Sequence, residues 1–282
     1  MMDSALPREL LVQELQKPEA QIDLAKAACY LAQEEYPNLD IAAQLAILDD
    51  MAEVLREQLP EAPYPLKIIR TLNHVMFDQF GFRGNDKNYY DPRNSFLNEV
   101  LTRRTGIPIT LSLVYLELAK RINFPMVGVG MPGHFLIRPM VDEMDIFVDP
   151  FHGGEVLFTQ DCNDRFKQMF GDGARLNIQH LEPISARAFL VRMLTNLKMI
   201  YLQQRNVARA IDTIERILLI NPEAVTERRD RGLIYYQQGE LSKAYLDLEL
   251  YLYEKPDAMD AYEIRQVMHQ IERVLEEEGR DR

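Results

Sequence analysis

Cysteine is scarce in this chain and tryptophan is absent: the 282 residues include two cysteines, Cys29 and Cys162. Two cysteines are too few for a framework of disulfide bonds, which favours a reducing compartment. Residues 1–11 contain no basic stretch leading into an apolar one, so we expect no signal peptide. The longest apolar runs, such as 111–116, are far shorter than a membrane span. We therefore expect a cytoplasmic protein that does not contact a membrane.

Positive charge is also in short supply. The chain has 32 lysines and arginines against 44 acidic residues, which gives a net charge of −12 at pH 7. Binding to nucleic acid requires a basic face that neutralises phosphates. The charge therefore disfavours a third hypothesis, a regulator that binds DNA directly. What the chain does have is apolar residues, at 47% of the total, and length enough for about two domains.

The spacing of apolar residues predicts a mostly helical α+β protein. Helical spacing covers residues 1–60, where Asp40 is a candidate helix cap, and prolines then mark a linker. A polar loop with aromatic residues is predicted at 81–93, a short helix at 95–103 and a buried helix at 111–121. The period then changes to that of strands, at 126–129, 134–138, 145–148 and 155–158, which predicts a small antiparallel sheet.

An internal repeat follows the sheet. The residues 201–204 recur as 235–238, at an offset of 34 residues, and the same offset relates Ala210 to Ala244 and Pro222 to Pro256. This period, with these alanines and closing prolines, is typical of tetratricopeptide repeats. The run 257–278 is predicted to be a capping helix with a polar outer face. We expect an α+β domain over 1–180 and helical repeats with their cap over 185–282.

His134 and Asp149 are the residues most typical of a reactive site. A hairpin with its turn at Val141–Asp142 pairs them directly across two strands, with Cβ atoms roughly 5 Å apart. A carboxylate in that position would orient the imidazole and favour its charged form. A base with its orienting group is two thirds of a nucleophile–base–orienter triad. The alternative is a core histidine that is kept for packing.

This arrangement resembles the transglutaminase-like branch of the papain-type fold, and its motifs resemble one subfamily. The motifs are NSFLNEVL at 94–101, RTGIPITL at 104–111, PGHFL at 132–136 and DPFHGG at 149–154. They are similar to the first SirB type, bacterial transglutaminase-like proteins with C-terminal tetratricopeptide repeats. The resemblance implies a cysteine nucleophile at the start of a buried helix, with the histidine and aspartate on the strands that follow it.

The implied cysteine is missing. Counting back from Asn123 by the spacing of the family reaches Pro108, and neither Cys29 nor Cys162 lies nearby in the sequence. The nearest hydroxyls belong to Thr110 and Ser112, and a Thr or Ser at a helix start is usually a cap. Thr110 is therefore a candidate, or vestigial, nucleophile.

Other residues are possible lining of the same site: Asn98, Ser112, Arg138 and His152. His134, Asp149 and His152 together match the ligand number of a catalytic zinc site. No residues that would orient such ligands are visible in the sequence, so we expect no metal. The glycines at 128, 130 and 133 match a dinucleotide pattern but run into a strand rather than a helix, so we expect no cofactor.

Two functional hypotheses remain. The first is a non-catalytic transglutaminase-like protein, possibly regulatory in role, that contacts a protein or peptide partner through the repeats. The second is an amidase, peptidase or acyl transferase that uses the Thr110 hydroxyl as nucleophile, His134 as base and Asp149 as orienter.

Overall fold

The structure, a computed structural model, describes residues 5–141 and 144–280. It consists of two compact units, Met1–Met193 and Leu194–Arg282. The domain limits expected from the sequence, 1–180 and 185–282, stay a prediction. Among the described residues, no helix is both long enough and apolar enough to cross a membrane.

The first unit opens with helices that bury one face each. Asp23 and Asp40 cap the second and third helices by accepting the N–H groups of Lys26 and Ala43, and the Asp40 cap is as predicted. The fourth helix continues into a π-helical segment, His74–Gln79. The bounds of these helices are Ala5–Leu15 (α1), Leu24–Gln33 (α2), Ile41–Gln58 (α3) and Pro65–Asn73 (α4).

A central helix, α6 (Pro108–Arg121), is buried on all sides over Pro108–Ala119. Pro108 fits its first turn because the N–H that proline lacks has no helical partner there. A shorter helix, α5 (Leu97–Arg103), packs against α6. The predicted loop at 81–93 contains a strand that the sequence did not suggest: β1 (Arg83–Gly84) pairs in parallel with β2 (Thr105–Gly106).

The predicted antiparallel sheet is present and has the order β3-β4-β5-β6, so the α+β fold class is confirmed. Its apolar face forms a cluster that also takes in Cys162 and Leu181. The helix α7 (Thr159–Phe170) follows the last strand. The strands are β3 (Met126–Val129), β4 (Leu136–Pro139), β5 (Phe147–Asp149) and β6 (Glu155–Leu157).

The second unit contains the predicted helical repeats. Its core holds the residues that the 34-residue offset selects, including Ala244 and Leu248. The last helix packs on α11, as a capping helix does. The repeat helices are α8 (Ala186–Gln203), which begins in the first unit, α9 (Val207–Ile220), α10 (Val225–Gln237), α11 (Leu241–Glu254) and the capping α12 (Ala261–Arg280).

Candidate functional site

Asp149 is the centre of the candidate site. It ends β5, and Pro150 begins a short 3-10 turn, Pro150–His152, that packs against α6. The Asp149 carboxylate caps this turn by accepting the N–H groups of Phe151, at 3.0 Å, and His152, at 3.3 Å. An aspartate before a proline is well suited to this role, because its side chain can bond the backbone two residues ahead. The local sequence thus holds the carboxylate in place, fully buried.

Two imidazoles reach the same oxygen of this carboxylate. His134 Nε2 and His152 Nδ1 each lie 2.8 Å from Asp149 Oδ2. The His134 side chain is 10% exposed and that of His152 is 51% exposed. His134 follows Gly133, whose φ of 78° is in the left-handed region that glycine tolerates best. The structure therefore brings His134 and His152 together around one buried anion.

The strand register differs from the prediction, but the predicted contact between His134 and Asp149 is present. Ile137 lies opposite Val148, so β4 is shifted by two residues relative to a hairpin that pairs His134 with Asp149. A shift of two keeps every side chain on its face, because the side-chain period of a strand is two. His134 lies just before β4 and reaches Asp149 diagonally. The turn was predicted at Val141–Asp142, and Asp142 lies outside the described residues.

Arg165, on α7, is a further member of the cluster. Its guanidinium donates to Asp149 Oδ2 and to Glu155 Oε2. The residue was not predicted from the sequence, because its role depends on how α7 docks against the end of the sheet. The only sequence signal is a lone arginine on the first helix after the last strand, and that pattern is too common to be diagnostic.

The cluster stabilises the ionised form of Asp149. Burial alone would raise the pKa of this carboxyl, but hydrogen bonds and charge from His134 and then His152 outweigh burial, and the pKa lies well below its usual range. Asp149 is therefore a permanent anion at neutral pH, with more donors than the capping of the turn requires.

A metal ion would compete with these donors. Among the described residues, His134, Asp149 and His152 have ligand atoms within 4.8 Å of one another, so they could hold a divalent ion. The Asp149 oxygen that a metal would use already accepts a hydrogen bond from the Arg165 guanidinium. A cation there would face a fixed positive charge, so the donor set fits a metal poorly.

Aromatic rings surround the histidines. Phe151 meets His134 edge to face, with ring centroids 6.2 Å apart, and Tyr89 meets Phe151 in the same way at 6.1 Å. Gly84 lies so close that an added Cβ would be 2.7 Å from the Phe151 ring. The loop at 81–93 thus supplies one wall of the site. The sequence indicated only that this loop is polar and bears aromatic residues.

The hydroxyl of Thr110 has other partners. It donates to the carbonyl of Asn94 at 2.7 Å and accepts the N–H of Ile107 at 3.1 Å, so it closes the first turn of α6. Thr110 is fully buried. None of the hydrogen bonds that the structure gives Thr110 reaches His134.

The other predicted lining residues do not join the cluster through their contacts. Asn98 Oδ1 and Ser112 Oγ are buried without a hydrogen-bond partner, on α5 and α6. The Arg138 guanidinium lies 5.5 Å from the centre of the Phe147 ring. Packing supplies no explanation for these two oxygens, and Arg138 Nε is likewise buried without a hydrogen-bond partner.

A cavity of about 550 Å³ lies elsewhere in the same unit. Its walls come from residues 20–24, the end of α6, β3 and the start of α8. His134, Asp149 and His152 are not part of its lining. The histidine cluster is thus not the floor of this cavity.

Residues 42–195, more than half of the chain, match the transglutaminase-like superfamily. The chain belongs to the transglutaminase-like superfamily. Residues 197–269 match a tetratricopeptide repeat family, which agrees with the repeat read from the 34-residue offset.

Within this superfamily the chain is similar to the UPF0162 proteins, which are of the SirB type, so the resemblance seen in the motifs is confirmed. A UPF0162 protein of Xylella fastidiosa is 38% identical over 248 residues, which cover 86% of this chain and 88% of that protein. A UPF0162 protein of Pseudomonas aeruginosa is 29% identical over 248 residues, which cover 88% of this chain and 90% of that protein.

A shorter similarity reaches a eukaryotic protein. F-box only protein 21 of Homo sapiens is 38% identical over 104 residues, which cover 34% of this chain and 17% of that protein. No solved structure matches the chain.

Proposed function

We propose that this transglutaminase-like protein is non-catalytic and acts through protein–protein contact, in a regulatory role. One observation carries the proposal: the His134–Asp149 pair is retained, but no reactive thiol accompanies it. The imidazole and carboxylate then serve as a rigid polar feature of the core.

The two cysteines are poor nucleophiles. Cys29, on α2, and Cys162, on α7, are both fully buried. Burial raises the pKa of each thiol to about 12. Because the thiolate is the reactive form, neither side chain has useful nucleophilicity at neutral pH.

The partner is proposed to bind the repeats. Tetratricopeptide arrays present extended surfaces, since each helix pair contacts only its neighbours. The match over residues 197–269 supports a binding module in this part of the chain. The acidic net charge of −12 favours a protein or peptide partner over a nucleic acid.

The test is His134→Ala in the full chain, with His134→Gln as the matched variant that keeps a hydrogen-bond donor. Affinity capture from the source cells, quantified by mass spectrometry, is expected to recover the same partners with all three proteins. The cellular phenotype of a deletion strain should be restored equally well. Loss of complementation by the folded His134→Ala protein, with partner capture unchanged, would show that the imidazole has a chemical role.

An enzyme with a hydroxyl nucleophile is the alternative. The 2.8 Å hydrogen bond between His134 and Asp149 favours it, since this is the geometry of an oriented base. The bonds of Thr110 to Asn94 and Ile107 argue against it, because that hydroxyl closes a helix turn.

A fluorophosphonate probe separates the two functions, because it labels activated hydroxyls covalently. We expect no adduct on the intact protein by mass spectrometry. An adduct at Thr110 that is lost in Thr110→Val, retained in Thr110→Ser and abolished by His134→Ala would establish the enzyme instead.

A further inference from the structure

The helix α11 is apolar on two opposite faces. One face packs in the repeat core through Ala244, Leu248 and Tyr251. Roughly opposite, at 3.6 residues per turn, lies a second set that we name the α11 stripe: Leu246, Leu250 and Tyr253. These side chains are 66%, 37% and 79% exposed. A helix that is apolar on two faces normally has a neighbour on both.

The first repeat provides an internal comparison. The 34-residue offset that aligns the repeats places Asp212, Arg216 and Leu219 at the positions of the α11 stripe. Two of these three residues are charged. The repeat fold therefore does not require apolar residues at these positions, and the stripe is specific to α11.

We propose that the α11 stripe is a self-association surface, at which the α11 helices of two copies of this chain pack antiparallel. The stripe residues are spaced four and then three apart, which is the spacing of a coiled-coil seam. An antiparallel pair centred on Leu250 places Leu250 against Leu250 of the second copy. Leu246 then lies opposite Tyr253 of that copy, so a large ring meets a smaller side chain.

The charges on one edge of the stripe are self-complementary in this arrangement, whereas the exposed Glu249 on the other edge faces Glu249 of the second copy and opposes association. Lys243 and Glu254 lie on the same edge of the stripe, at opposite ends of the helix. In an antiparallel pair each edge of the stripe lies beside the same edge of the second copy. Lys243 of each copy therefore approaches Glu254 of the other, which gives two equivalent contacts. Lys243 is held within its own chain by Glu240 at 3.2 Å and by the Tyr235 ring at 5.4 Å, and it remains largely exposed.

The expected association is weak. A three-residue stripe is small beside the surface of a stable dimer, and the net charge of −12 on each copy opposes association. We expect dissociation constants in the micromolar range or above. This proposal goes beyond the proposed function, since it concerns a second copy rather than a foreign partner.

Sedimentation equilibrium of the full chain tests the surface. The mass is expected to rise from one chain towards two as the concentration approaches hundreds of micromolar. Leu246→Asp with Leu250→Arg, the residues of the first repeat, should keep the protein monomeric throughout. The control is Met259→Asp, a fully exposed residue outside the stripe, and it should leave the dimer unchanged. A monomeric wild-type chain, or a dimer that persists in the double variant, would overturn the proposal.

Cross-linking tests the antiparallel register without relying on charged substitutions. Under mild oxidation Leu250→Cys should form a covalent dimer, whereas Leu246→Cys alone should not. A mixture of Leu246→Cys and Tyr253→Cys proteins should form the mixed dimer. The native cysteines are buried and should not interfere. Efficient cross-linking of Leu246→Cys to itself would contradict the register.

Exchange of charge gives a second check of the same register. Lys243→Glu and Glu254→Lys should each weaken association severalfold, because like charges then meet. The double variant should restore it. Failure of the double variant to recover would place these two residues outside the interface.

Discussion

Each unit of the molecule contains a buried charged group with several partners, Asp149 in the first and Lys198 in the second, and the two groups are satisfied differently. In the repeat unit Lys198 lies within 2.9 Å of carboxylate oxygens of Glu227 and Asp230, so one cation has two anions. In the first unit the Asp149 carboxylate accepts hydrogen bonds from two imidazoles, one guanidinium and two backbone N–H groups. The Lys198 cluster joins α8 to α10, and that structural task accounts for all of its members.

The Asp149 cluster has members that structure alone does not require. The capping of the turn needs only the carboxylate and the N–H groups of Phe151 and His152. His134 and the half-exposed His152 add two titratable rings at the edge of the protein. These extra donors agree with the proposed function, in which the base and its orienting carboxylate are present although no reactive thiol accompanies them.

Replacement of Asp149 should have the largest effect. Asp149→Ala leaves two backbone N–H groups without their acceptor and removes one of the acceptors of the Arg165 guanidinium, and we expect a loss of about 3–5 kcal/mol in the free energy of unfolding. Asp149→Asn retains an acceptor for the turn and should lose less. Urea unfolding measures both, and equal losses would indicate that the charge rather than the cap is what stabilises the turn.

Replacement of Lys198 should cause the second-largest loss of stability. Lys198→Met leaves the buried Glu227 carboxylate without its cation and takes one cation from Asp230, which keeps Arg229 at 2.7 Å, and we expect a loss of about 3 kcal/mol. Adding Glu227→Gln and Asp230→Asn should recover most of it, since the buried charges are then gone. Because the chain lacks tryptophan, Tyr245→Trp in the repeat core gives a local fluorescence signal for this unit. A triple variant as unstable as the single one would argue against charge as the cause.

The Asp149 cluster should lose its stabilising effect at acid pH, and the Lys198 cluster at alkaline pH. The folded pKa of Asp149 lies below its unfolded value of about 3.9, so its stabilisation is present above that pH and is lost as the pH falls. Burial lowers the pKa of Lys198, but its bonds to Glu227 and Asp230 outweigh burial and raise it. Its stabilisation is present below about pH 10.4 and is lost as the pH rises through the folded pKa.

Thermal unfolding across the pH range measures this difference. Asp149→Asn should flatten the acid side of the profile, and Lys198→Met the alkaline side. If either substitution changed the opposite side instead, the assignment of the titrating group would be incorrect.

Replacement of His152 should have the smallest effect. Its ring is half exposed, so its contact with Asp149 is screened by solvent. We expect His152→Asn to cost about 0.5–1 kcal/mol, with the His134 contact unchanged. The NMR signals of the His134 ring provide the check. A large movement of those signals would mean that His152 positions His134.

The repeats could be predicted because their information is local. Each residue of a repeat contacts its own helix pair and the next, so a single offset in the sequence identifies the core positions Ala210 and Ala244. The pairing of β1 with β2 was not predictable in this way. Two-residue strands have no period, and their partners are separated by a loop and a helix.

The candidate site was predictable only in part. His134 and Asp149 fall on one face under either register, because the side-chain period tolerates a shift of two residues. Arg165 was not predictable, since its distance from Asp149 depends on the docking of α7. The partners of Thr110 also depend on tertiary structure, because Asn94 lies 16 residues earlier in the chain.

The closure of α6 by Thr110 has a consequence for substitution by cysteine. A thiol placed there by a single substitution would remove the hydroxyl that bonds Asn94 and Ile107, in a position with no access to solvent. A thiol at Pro108 would instead remove the residue that suits the first turn of the helix. We expect either substitution to destabilise the start of α6, so both positions have a structural role that a thiol would not fulfil.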